Sequence, residues 1–259
     1  MTDLLWYQYL IIGLAFLWSG FVRSGLGFGG AVLALPFMLL VVNDALIFLP
    51  LIAMHLLIFS SWITWKGFQK TRALGSASSL EGNINWGYLS KALKIMIIPK
   101  LLGVIGLLTL PPKIMTTLIF LIVSGYAIGY ILNRPIRKKN KYVDGGLLML
   151  GGYISGTSLT GAPLIIPVFA SHVPKHQLRD TLFVLWFILV VIKMTSFVLA
   201  GVDLQLIHHL WLLPCAWVGH VLGDRLHQRI VAAETPTFFR LLGVVLLIVS
   251  AAGVWRALA

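Results

Sequence analysis

The chain has 259 residues, of which 59% are hydrophobic and only 11% charged, with a formal net charge of +12. Its apolar runs are long enough to cross a hydrocarbon core, which takes about 20 helical residues, and they are too numerous for a soluble core. The alternating strands of an outer-membrane barrel are absent, and the Lys and Arg residues sit between apolar segments, where topology uses them, which excludes a nucleic-acid partner as their meaning.

Ten apolar segments are predicted in chain order, at about 4–22, 29–42, 45–65, 91–110, 113–133, 145–156, 162–173, 181–200, 204–222 and 237–255. The first carries Asp3 and no basic residue ahead of its apolar run, unlike a cleavable signal peptide, and is expected to be permanent. The fold class is all-α polytopic, one transmembrane domain over 1–259. Cys215, the single cysteine, allows no intramolecular disulfide and no cysteine-based metal site.

The segments divide five and five, repeat 1 over about 4–133 and repeat 2 over about 144–258, and each half opens on the same stretch. Residues 20–36 read GFVRSGLGFGGAVLALP and residues 151–167 read GGYISGTSLTGAPLIIP, identical at seven of seventeen aligned positions. The identities are Gly20/Gly151, Ser24/Ser155, Gly25/Gly156, Gly30/Gly161, Ala31/Ala162, Leu33/Leu164 and Pro36/Pro167. Glycines and hydroxyls that interrupt an apolar run mark open backbone, which membrane depth tolerates only where it is packed in protein or lines a wet cavity. The segments 29–42 and 162–173 reach only about 20 Å at 1.5 Å per residue, so each half is expected to open with a broken or re-entrant helix pair.

Lys and Arg follow the third, fifth, seventh and ninth segments, whereas the connections at 43–44 and 201–203 have none. Placing the basic group in the cytoplasm makes every loop alternate and puts both chain ends outside. An odd number of crossings per half then makes the halves an inverted repeat, a recurrent plan of secondary transporters. The polar connection 66–90 is read as a surface loop.

Gly25, Gly27, Gly29 and Gly30 let the backbone turn, and a helix starting near Gly30 would aim unpaired N–H groups into the cavity. The second copy does the same near Gly161, with Ser155, Thr157, Ser158 and Thr160 adding hydroxyl donors, and Ala162-Pro163 suits the first turn of a helix. The alternative is that these glycines serve close helix packing. Ser24 and Arg23 precede the first cluster. Arg23 sits at the end of the first segment, directly before the glycine cluster, Lys100, Lys193 and His55 fall within segments, and no Asp or Glu lies in a span, so the balance points to an anionic substrate. Lys193, with Trp186 and Ser196 on its face, is expected to take the substrate as its counter-ion. The pair His208–His209 is read as part of the interface belt.

No HExxH, GxSxG or Walker loop is present. An intramembrane hydrolase built on Ser155 or Ser158 with His220 has no motif behind it, so the chain is not expected to be an enzyme, and no cofactor is expected. Expected partners are a small anionic substrate and the lipid bilayer, with a homodimer left open.

Two Gly-rich apolar stretches, each with a Pro six residues after its last Gly and each opening one half of a chain of this length, resemble the sulfite exporter TauE/SafE family of integral membrane transporters. The resemblance covers nearly the whole chain, with GLGFGG as the closer copy and TSLTGAP as the more hydroxyl-rich one. It implies secondary transport of a small sulfur-containing or organic anion such as sulfite, sulfoacetate or thiosulfate, in a bacterial inner membrane. An anion channel on the same scaffold is the alternative.

Overall fold

The computed structural model describes residues 4–26, 30–73, 84–132, 140–232 and 236–258. Every described element is helical: α1 (Trp6–Leu26), α2 (Gly30–Val41), α3 (Ala45–Ala73), α4 (Trp86–Thr109), α5 (Pro112–Ile131), α6 (Lys141–Ser158), α7 (Ala162–His172), α8 (Lys175–Leu199), α9 (His209–Ala232) and α10 (Pro236–Leu258), with a 3-10 turn at Leu206–His208. Local chemistry sets the ends. The Asn85 side chain accepts from the Tyr88 N–H at 3.0 Å to start α4, Asn140 caps α6 in the same way, and Pro112 opens α5, where a missing N–H costs nothing.

The connection read as a loop over 66–90 is shorter than expected. Helix α3 continues through Ala73 and α4 begins at Trp86, because 66–73 holds no proline and only one glycine to stop the helix. Helix α8 likewise starts at Lys175, directly after Pro174, rather than at 181.

Six described helices, α3, α4, α5, α8, α9 and α10, contain stretches long and apolar enough to cross a membrane, three in each half of the chain. The other four, α1, α2, α6 and α7, are those that carry the repeated stretches, and α2 and α7 have only 12 and 11 residues. The chain is a multi-pass membrane protein. Large apolar side chains such as Ile98, Leu102 and Ile105 of α4 and Leu241 and Ile248 of α10 stand exposed on the outside, where lipid rather than water is their solvent.

The six most extensive helix pairings follow a rule. Helix α1 packs on α9 and α6 on α4; α3 packs on α8 and α5 on α10; α1 packs on α2 and α6 on α7. Exchanging each of the first five helices for its counterpart five places on returns the same set. Glycine lets two of these pairs meet backbone to backbone: a Cβ at Gly219 of α9 would fall on the Leu17 carbonyl of α1, and one at Gly103 of α4 on the Tyr153 carbonyl of α6.

Candidate anion site between the two helix breaks

The second repeated stretch ends one helix and starts another. Helix α6 stops at Ser158, Leu159 takes the left-handed conformation at φ 59°, and α7 begins at Ala162 with Pro163 in its first turn. Leu159 pays for this conformation with strain that glycine would avoid, on the order of 1–2 kcal/mol. The hydroxyls close the break from within. Thr157 Oγ1 donates to the Ile154 carbonyl at 3.0 Å and Ser158 Oγ to the same carbonyl at 3.1 Å. Since the Ser158 proton is used there, Thr160 Oγ1 donates to Ser158 Oγ, at 2.5 Å.

The last carbonyls of α6 carry the negative end of the helix dipole, and of these Ser155 O is reached by the Leu159 N–H, at 3.3 Å. Two buried lysines meet them. Lys100 Nζ, from α4, donates to Ser155 O and Ser155 Oγ, both at 3.0 Å. Lys193 Nζ, from α8, donates to Gly156 O at 2.8 Å and Thr157 O at 3.2 Å. Both lysines are fully buried and spend their N–H groups on these oxygens, and Lys193 Nζ also lies 5.4 Å from the centre of the Phe197 ring.

In the first stretch α1 ends at Leu26 and α2 begins at Gly30; Gly27 and Gly29 lie outside the described residues. Gly30 sits hard against α1, where an added Cβ would come 2.7 Å from the Ser19 carbonyl oxygen. Gly161 is pressed in the same way on the Gly151 carbonyl of α6. Ser24, the counterpart of Ser155, is hydrogen-bonded through Oγ to His220 Nδ1 of α9. Each serine of the repeat thus meets a basic side chain from the helix that its own helix packs on.

Arg23 is different. It is 3% exposed, donates from one guanidinium nitrogen to Ser19 Oγ at 3.3 Å, and lies 5.0 Å above the Phe59 ring. Its Nε and its other terminal nitrogen have no hydrogen-bond partner among the described residues. A cavity of about 40 Å³ lies beside it, lined by Arg23, Gly30 and Ala31 from the first break and by Ser155, Leu159 and Ala162 from the second, and walled by Phe183 and Trp186 of α8. A water needs about 10–15 Å³ measured this way, so the space has the scale of a small oxyanion. The first turns of α2 and α7, whose N–H groups lack intrahelical partners, both begin at this cavity.

The structure therefore brings Arg23, Gly30 and Ser155 to one cavity. Thr157, Ser158 and Thr160 bond within the break, Gly161 lies buried under α7, Ser24 turns to His220, and Lys193 turns to α6 although Trp186, on its own helix, reaches the cavity wall. His55 lies fully buried away from the cavity, donating from Nδ1 to the Leu51 carbonyl at 2.7 Å, with its ring 4.8 Å from Phe16. His209 is buried against His55 at 5.2 Å rather than lying in an interface belt, because the start of α9 turns inward onto α3. Sequence reasoning gave His220 and Lys100 no part in holding the breaks. One signal for the histidines was available: His209 and His220 are eleven residues apart, three helical turns, and so share one face of α9.

Compared with known proteins, the chain matches the family model described as Sulfite exporter TauE/SafE over residues 11–253. No curated protein and no solved structure matches it.

Proposed function

The chain belongs to the sulfite exporter TauE/SafE family, and from that membership we propose that it is a secondary transporter, not an enzyme, moving a small sulfur-containing or organic anion such as sulfite, sulfoacetate or thiosulfate by alternating access. The observation that carries this reading is Arg23, a buried guanidinium with two nitrogens unpartnered among the described residues, at a small cavity where two helix N-termini begin. An uncompensated cation is costly inside a membrane, and a bound anion removes that cost. The anion's oxygens take hydrogen bonds from Arg23 and from the first N–H groups of α2 and α7, with Gly30 and Gly161 keeping those helix starts close to α1 and α6.

Alternating access asks for two states of similar energy, which two interchangeable halves of opposite orientation supply. The pairing of helices under exchange of the halves supports that plan, and the basic loops support cytoplasmic faces after the odd-numbered segments, both chain ends outside, in a bacterial inner membrane.

The test is a thermal-shift panel of the purified protein against sulfite, thiosulfate, sulfate, sulfoacetate and small carboxylates, followed by flux in proteoliposomes. At least one of these anions should raise the melting temperature by mass action, and its flux should saturate and exchange against a gradient of the same anion. A panel without any shift removes the anion site, and flux linear in concentration replaces the transporter with a channel.

A further inference from the structure

One group of interior side chains plays no part in the anion site as described. His55 on α3 and His209 and His220 on α9 are 0%, 7% and 5% exposed. His55 stands 5.2 Å from His209, ring centre to ring centre, and Phe59, one turn further along α3, stands 5.1 Å from His220. The bond from His55 Nδ1 to the Leu51 carbonyl fixes its neutral tautomer, leaving the lone pair on Nε2, and that nitrogen makes no hydrogen bond of ordinary geometry among the described residues, although the Leu212 backbone lies near the ring. Neither nitrogen of His209 makes one either, although the Leu204 backbone lies near that ring. Bare polar nitrogens in a protein interior are costly, so a cluster of them is a place where something binds.

What binds is decided by chemistry. Two imidazoles without a carboxylate or thiolate beside them are poor at holding a metal ion, but histidine is the side chain that gains and loses a proton near neutral pH. The charged and titratable groups around the cluster come from few elements. Helix α1 brings Arg23, which stands over Phe59, and the start of α9 brings His208 next to His209. Helix α2 holds no ionisable residue, α8 brings Lys193, already engaged on α6, and α5 offers Lys113 at its start and otherwise tyrosines. Arg23 is therefore the fixed positive charge beside both the cavity and the cluster.

We propose that His55 and His209 form a binding site for a proton that travels with the anion, an inference that rests on the anion site at Arg23. With the cavity empty, the guanidinium charge opposes a second positive charge on the histidines. An anion at Arg23 removes that opposition, so His55 Nε2 or His209 accepts a proton from the water outside, and by reciprocity the protonated cluster holds the anion more tightly. The balance is one proton taken up and later released to the other side, with no other bond made or broken. Phe59 stands beside both members of the group, its ring 6.4 Å from that of His55 and 5.1 Å from that of His220.

The experiment uses the purified full-length protein with thiosulfate and with sulfate, anions that do not themselves titrate between about pH 6 and 9, where histidine does. Calorimetric titration in two buffers of different ionisation enthalpy gives the protons taken up per anion bound. The expected result is close to one proton in the wild type, with affinity falling by up to about tenfold per pH unit on the alkaline side, and a flattened pH slope in His55→Gln and in His209→Gln. Anion binding with no proton uptake and no pH dependence in the wild type overturns the proposal, and so does wild-type uptake retained in both variants. Should either variant fail to fold, the wild-type proton count still decides. If neither anion binds, the site at Arg23 falls and the proton site with it.

Discussion

Lys100 Nζ donates to both the carbonyl and the hydroxyl of Ser155, at 3.0 Å each, so an ammonium from one half of the chain closes the end of a helix in the other half. Replacing it by methionine keeps the length, takes the ammonium from the hydroxyl and leaves the carbonyl with only the long 3.3 Å bond from the Leu159 N–H. Lys100→Met should lower stability by about 2–4 kcal/mol and Ser155→Ala by about 1 kcal/mol, read as denaturant or thermal midpoints of the purified protein. Equal, negligible effects of both would mean that the α6 end needs no ammonium.

Lys193 offers a contrast between two roles. As the direct counter-ion of the substrate, its loss would spare the ligand-free protein. Bonded to Gly156 O and Thr157 O, its loss should cost that protein stability before any anion is added. Lys193→Met is expected to melt several degrees lower without ligand, and Lys193→Arg to recover part of the loss.

Arg23 should behave in the opposite sense. Its guanidinium is buried with two nitrogens unpartnered among the described residues, so Arg23→Met removes a cost from the protein before any anion is added. The variant should melt at or above the wild-type temperature yet lose at least tenfold in anion affinity, about 1.4 kcal/mol, measured by the anion-induced thermal shift. An unchanged anion response would place the site elsewhere.

Gly30 and Gly125 separate close approach from helix propensity. An added Cβ at Gly30 meets the Ser19 carbonyl at 2.7 Å, while nothing lies within 4 Å of one at Gly125. Gly30→Ala should still insert but lose transport in proteoliposomes, and Gly125→Ala should transport normally and gain up to about 1 kcal/mol in stability. Wild-type flux in Gly30→Ala would reduce that glycine to filler.

Orientation is open to a labelling test. In a Cys215→Ala background, single cysteines at Asn43 and Asp203 should react with an impermeant thiol reagent from outside, and those at Asn140 and Lys175 only from the cytoplasm. Asn43 and Lys175 labelled from the same face would dismiss the inverted plan.

The number of helices, the short α2 and α7 and the breaks before them were legible because glycine, proline and apolar length act locally. The burial of Lys100, Lys193 and His55 was legible too, from their position within apolar runs. What the lysines touch was not. Lys193 could be assigned a substrate only because no carboxylate was near in sequence; the oxygens that compensate it belong to the backbone of α6, and every sequence has those. The partner of Ser24 lies 196 residues away and the partner of Ser155 lies 55 away, so the likeness of the two serine sites emerges only when α9 and α4 are laid beside the repeats.

Where α1 meets α9 and α4 meets α6, glycine has removed the layer of side chains over which helices ordinarily slide. A carbonyl of one helix sits where the next helix would have had a methyl group, and a shift of a fraction of a turn would drive backbone into backbone. These two pairs mesh like gear teeth, and in the alternating access proposed above each would travel as one solid piece. The slack would then fall to the α3–α8 seam, which is padded with side chains, including those of Leu56, Phe183 and Trp186, and borders the cavity.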